Sequence, residues 1–141
     1  MTNNQQKLSS KISAYFIDKK EVAAVYLFGS HARNHASPQS DVDLAILLDP
    51  YDSLQAEKLC TRLMIELGRI LRSVIHPVIM NSASEELLRQ ILSKGICVHI
   101  NNNDVLSRFK MRALTMIAEF GYYRKILQSG LVKSIMEAGR D

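Results

Sequence analysis

An α/β fold with one small sheet and a long C-terminal helix is what this sequence predicts, and three observations predict it. Short apolar runs (residues 23–28, 42–48, 74–80 and 96–100) alternate with longer segments whose apolar residues recur at helical spacing. The runs are too short for helices and are bounded by turn residues, as strands are. At 141 residues the chain has the length of one domain with a genuine core.

Each element can be justified in order. Leu8, Ile12 and Tyr15-Phe16 recur at steps of three and four, which predicts an amphipathic helix over residues 5–18. Asp18-Lys19-Lys20-Glu21 breaks it before the strand Ala23 to Phe28, which ends at Gly29, and Ser30 can cap a short helix after it. Val42 to Leu48 is the second strand. Asp49-Pro50-Tyr51-Asp52-Ser53 is turn chemistry able to cap a helix, and Ala56, Cys60, Leu63, Leu67 and Ile70-Leu71 give that helix an apolar stripe to about residue 72. The third strand runs from Ser73 to Met80, and Pro77, which has no N–H, argues for an edge position. Ser82-Ala83-Ser84-Glu85 matches a capping box that opens a helix carrying Leu87, Leu88 and Ile91 and stopping near Gly95. Ile96 to Ile100 is the last strand. Asn101-Asn102-Asn103-Asp104 then forms a polar break whose Asn103 or Asp104 can cap the final helix, along which Leu106, Phe109, Ala113, Met116-Ile117, Phe120, Tyr123 and Leu127 mark one face. Residues 1–100 are expected to form the domain proper and residues 101–141 a helical extension of it. That extension can pack on its own sheet or on a second copy of the chain.

Composition narrows the function classes. The 47% hydrophobic and 23% charged residues are those of an ordinary globular protein, no stretch approaches 18 unbroken apolar residues, and residues 1–7 lack the apolar run of a signal peptide. The expected location is the cytoplasm, with no membrane partner. Cys60 and Cys97 sit among apolar neighbours and are expected to be buried free thiols. The net charge of +4 is concentrated late in the chain: residues 1–100 carry 11 basic and 10 acidic side chains, residues 101–141 carry 7 and 4. That excess would help hold a nucleotide or an acidic partner but falls well short of the dense stripe of a dedicated nucleic-acid binder.

The chemistry concentrates in Gly29-Ser30, a ten-residue spacer, and Asp41-Val42-Asp43. Gly29 lets the chain turn closely, and a serine-capped turn leaves N–H groups aimed at an anion. Side chains alternate along a strand, so Asp41 and Asp43 share a face about 7 Å apart along the chain. Two carboxylates so close repel unless a cation neutralises them, and their hard oxygens suit Mg²⁺ on a nucleoside triphosphate. Arg33 can reach a phosphate, and Ser40 can orient a carboxylate or cap a turn. The spacer histidines, His31 and His35, read as solvated, because Mg²⁺ prefers oxygen.

Together these residues resemble the active-site signature of the nucleotidyltransferases of the DNA polymerase β superfamily, and most closely its minimal nucleotidyltransferase (MNT) group. The motif spans residues 29–43, and the order of elements extends the likeness over about residues 5–100. The resemblance implies a small mixed sheet flanked by helices, ATP as substrate, two Mg²⁺ ions, and transfer of AMP to a hydroxyl. It assigns metal binding and catalysis to Asp41 and Asp43 and nucleotide contacts to Gly29 and Ser30, beside which Arg33 and Ser40, by their place in the chain, are the further candidates for binding the nucleotide. Members of the MNT group are often antitoxins paired with a helical HEPN (higher eukaryotes and prokaryotes nucleotide-binding) toxin, silenced by AMP added to a tyrosine, by tight binding, or by both. One departure matters. The superfamily's third acid belongs on a later strand, yet the strand from Val74 to Met80 holds no Asp or Glu, and His76 stands near that position. His76 is either a replacement base or ligand, or the mark of a site that binds without transfer. The second case defines the rival reading, a non-catalytic antitoxin or regulatory subunit.

Overall fold

The first strand, β1 (Val22–Phe28), has neighbours on both edges and helices on both faces, which is why its sequence is apolar throughout. The structure, a computed structural model, describes residues 1–33, 36–37 and 40–128. Around β1 stand α1 (Asn3–Phe16), β2 (Val42–Leu48), α2 (Ser53–Leu71), β3 (Ile75–Ile79), a 3₁₀ turn (Met80–Ser82), α3 (Glu85–Lys94), β4 (Ile96–Ile100) and α4 (Asn103–Gln128). The four strands form a mixed sheet in the order β3-β2-β1-β4. β1 pairs antiparallel with β2 and with β4, and β2 pairs parallel with β3 through the α2 crossover. β3 is thus an edge strand, where Pro77 costs the sheet no inner hydrogen bond.

Two cores sandwich the sheet. On one face Ile12 and Phe16 of α1 and Leu59, Leu63 and Leu67 of α2 close over Val25, Leu27, Leu44 and Ile46. On the other, Leu88 and Ile91 of α3 and Leu106, Phe109 and Ala113 of α4 close over Tyr26, Ala45 and Leu47. Each fully buried aliphatic side chain contributes about 1.5–3 kcal/mol relative to its exposed state. Alternation along β2 sends Val42, Leu44, Ile46 and Leu48 to the α1/α2 face, so Asp43 points to the α3/α4 face.

The structure corrects the expected boundaries. α1 starts at Asn3 because Thr2 and Gln5 form a reciprocal capping box. Residues 30–33 form a turn, closed by the Arg33 N–H donating to the Gly29 carbonyl at 3.3 Å, and not the expected short helix. Ser84, not Ser82, caps α3, its hydroxyl accepting from the Leu87 N–H, because residues 80–82 are taken by the 3₁₀ turn. Asn102, one residue earlier than expected, accepts from the Val105 N–H at the start of α4. Both cysteines are free, but Cys60 is only half-buried and Cys97 is exposed on the second edge strand, β4, so neither is the buried thiol its neighbours suggested. α4 joins the core through its first half only: Phe120, Tyr123 and Leu127 on the same stripe are exposed.

Candidate functional site

The C-terminal end of β1 and the starts of β2 and β3 meet at one edge of the α3/α4 face. Phe28 pairs with Asp43, and Asp43 pairs in turn with His76, so the register itself lines up the turn, the second acid and the histidine. Gly29 follows with φ +71°, a left-handed conformation that suits glycine. A Cβ built there would overlap Oδ2 of Asp43. Glycine therefore does two things: it turns the chain and leaves room for the carboxylate behind it.

Asp41 sits just before β2 and is half-exposed, whereas Asp43 is more enclosed. The imidazole of His76 lies against both acids, Nε2 at 3.2 Å from Oδ2 of Asp41 and Nδ1 at 3.8 Å from Oδ1 of Asp43. Burial pushes the Asp43 carboxyl above its ordinary range; His76 pulls it back, Asp41 pushes it up further, and His31 opposes that weakly. The net rise means that burial penalises the charged carboxylate of Asp43 more than the neighbouring imidazoles favour it. Two such carboxylates are oxygen donors suited to a divalent cation, and a cation there would offset that penalty. Among the described residues no three His, Cys, Asp or Glu side chains converge as a metal cage. His76 leans on the carboxylate oxygens instead of completing a donor set with them. Asp41 and Asp43 are thus the residues that fit a metal.

The loop after Gly29 is held from below. The side-chain nitrogen of Gln5, only 8% exposed, donates to the carbonyls of His31 at 2.9 Å and Ala32 at 3.3 Å, while its Oε1 accepts from the Thr2 N–H. Gln5 thereby ties the first turn of α1 to the turn beyond Gly29 and Ser30. Ser40 is turned into the loop, where its hydroxyl accepts from the Ser37 N–H at 2.9 Å, so of its two expected parts it plays the turn cap. The His31 ring packs its Nε2 3.2 Å from the Ser40 carbonyl. His35 lies outside the described residues.

A cleft of about 390 Å³ opens beside Asp43, and Gly29 and Arg33 line it together with Arg89, Ser93 and Lys94 of α3. Sequence reasoning placed Arg33 here but missed α3 and Gln5. For α3 the missing information was which sheet face the helix covers; for Gln5, a polar residue in a first helical turn reads as solvated. The signal available for Gln5 was Thr2-x-x-Gln5, a capping pair.

The fold is shared with known proteins. Compared with curated protein sequences the chain has no significant match. Among solved structures it is similar to a chain of a toxin–antitoxin crystal structure with AMP-PNP, at 23% identity and TM-score 0.67, over 88% of this chain and 98% of that one. A chain of the MntA–HepT toxin–antitoxin structure matches at 22% identity and TM-score 0.62 over 90% and 98%. A chain of the complex of a tri-AMPylated Shewanella oneidensis HEPN toxin with its MNT antitoxin matches at 21% and TM-score 0.62 over 91% and 98%. At these identities the likeness is one of fold. Among the described residues no helix is long and apolar enough to cross a membrane. Residues 10–104, most of the chain and all four strands, match the family described as Polymerase beta, Nucleotidyltransferase, and the protein belongs to that family.

Proposed function

We propose that this nucleotidyltransferase-family protein binds Mg²⁺-ATP at the cluster of Gly29, Asp41 and Asp43 and acts as the antitoxin of a HEPN-type toxin, to which it transfers AMP. The observation that carries the reading is the contact between the left-handed Gly29 turn and the Asp43 carboxylate, which sets an anion-ready turn against an acid pair in need of a cation. The fold neighbours, one with AMP-PNP and one with an AMPylated HEPN toxin, support the choice of nucleotide and partner. Asp41 and Asp43 would hold the divalent ion, which when bound supplies charge neutralisation at the transferring phosphoryl group and lowers the pKa of an attacking hydroxyl. The Ser30 turn and Arg33 hold phosphate. The acceptor oxygen, expected to be a tyrosine hydroxyl, forms a bond to the α-phosphorus; the bond to the β-phosphate bridging oxygen breaks and pyrophosphate leaves with its electrons. The hydroxyl proton passes to His76 in this reading.

A second reading is favoured by one feature. His76 stands opposite Asp43, where the family resemblance puts an acid, and its nitrogens rest on the two carboxylates. On that basis the protein neutralises its partner by binding alone. Two measurements separate the cases. Mg²⁺-ATP should raise the thermal midpoint of the parent and not of Asp41→Asn/Asp43→Asn; equal responses would remove the metal site. Labelled AMP should then pass to the co-purified partner and fall in His76→Ala. Transfer that is absent in the parent and created by His76→Asp would establish the binding-only reading.

A further inference from the structure

Among its lining residues the cleft beside Asp43 carries three cations and one acid, Asp43 itself. Arg33 reaches it from the turn after Gly29, and Arg89 and Lys94 reach it from α3. All three are exposed. Among the described residues none of the three forms an ion pair. The natural partner for Arg89 would be Glu85, four residues earlier on the same helix. Glu85 is instead clamped by Arg124 of α4, both carboxylate oxygens lying 3.0 Å from one guanidinium nitrogen. Lys94 sits in the last turn of α3, where the helix dipole favours a cation. That accounts for neither arginine. Three like charges around one cleft repel, and an anion entering it removes that repulsion while gaining charge-assisted hydrogen bonds.

The carboxylate of Asp43 forms the far wall, so an anion in the cleft lies directly beside the acid pair. A single small anion would meet Asp43 as a like charge. A polyphosphate chain that shares a divalent cation with Asp41 and Asp43 would not. We infer that Arg33, Arg89 and Lys94 bind the polyphosphate tail of the nucleotide, the β- and γ-phosphates, with Ser93 as a neutral donor beside them. The inference rests on the nucleotide-binding reading and adds α3 to it as the phosphate-holding wall.

Calorimetry on the full chain at low ionic strength tests it, with ATP, sodium tripolyphosphate and AMP titrated in Mg²⁺ and in chelator. The parent is expected to bind ATP and tripolyphosphate at least tenfold more tightly than AMP. Arg89→Ala/Lys94→Ala should lose tenfold or more for both polyphosphates and less than twofold for AMP, with an unchanged thermal midpoint because both side chains are exposed. Arg89→Lys should retain most of the affinity, since charge is the quantity at work. Tripolyphosphate affinity within twofold of the parent in the double variant overturns the inference. So does unchanged polyphosphate binding accompanied by loss of the toxin partner, which would make the cleft a dock for an acidic protein segment. ATP binding that needs Asp41 and Asp43 but ignores Arg89 and Lys94 sinks this inference alone. A parent that binds neither ATP nor tripolyphosphate sinks it together with the nucleotide reading.

Discussion

Replacing Gly29 by alanine should cost the fold roughly 1.5–3.5 kcal/mol, and the structure divides that figure into two parts. The first is backbone strain: a residue with a Cβ at φ +71° pays about 1–2 kcal/mol for the left-handed region. The second is displacement of Asp43, whose Oδ2 occupies the space the new Cβ needs; driving that side chain off its rotamer costs about 0.5–1.5 kcal/mol. The second part disappears when the carboxylate is removed. In Asp43→Ala the remaining Cβ lies 3.3 Å from the built one, a separation that small adjustments absorb. Urea unfolding of parent, Gly29→Ala, Asp43→Ala and the double variant closes a thermodynamic cycle, with an expected coupling of about 1 kcal/mol. Gly29→Ala should also lose Mg²⁺-dependent ATP binding, since the moved carboxylate no longer stands beside Asp41. A Gly29→Ala cost that is the same in both backgrounds, within about 0.3 kcal/mol, would refute the claimed contact.

Further outcomes are expected. Asp43 has a folded-state pKa raised above its ordinary value, so folding favours its protonated form and the raised pKa costs stability once pH climbs out of the carboxylate range. In chelator, Asp43→Asn should therefore be more stable than the parent at pH 7, the gap closing as pH falls through about 4; a gap that widens on acidification would reverse the sign. Asn101→Ala should cost about 2–3 kcal/mol in denaturant unfolding, because the Asn101 amide nitrogen donates to the carbonyls of Phe16, Lys19 and Val22 and its oxygen meets His99 Nε2 at 2.7 Å. A loss below about 0.5 kcal/mol would mean that water replaces it freely. Replacing Phe120, Tyr123 and Leu127 by serine should lower the mass seen by light scattering or abolish partner co-purification at an unchanged thermal midpoint, since all three are exposed. Unchanged mass and partner binding would leave that stripe without an intermolecular role.

What could be read from the sequence divides along a physical line. Strands and helices were legible because β1, β2 and the α2 stripe write their burial into consecutive residues. Pro77 marked its own edge strand. The Gly29, Asp41 and Asp43 group was legible for a similar reason, being close in sequence and of constrained residue types. What could not be read depends on approach between distant segments: Gln5 meeting His31, Arg89 and Lys94 lining the cleft beside Asp43, and Asn101 gathering three carbonyls from the α1–β1 connection. Polar residues carry no periodicity that announces such partners. The shifted helix starts, at Asn3, Glu85 and Asn103, have a simpler cause. Several side chains near each boundary can cap, and tertiary packing selects among them.

The edge position of β3 bears on how this site can change over generations. His76 is exposed, belongs to neither core and stands on a strand with a partner on one side only. A substitution there asks almost nothing of the fold, so the chemistry at that position is free to drift between acid, imidazole and inert side chain one mutation at a time. Gly29 and Asp43 have no such freedom, because each occupies the space the other would need to grow. Descendants of this chain can therefore gain or lose a third functional group at His76 while inheriting the turn and its acid as a fixed pair.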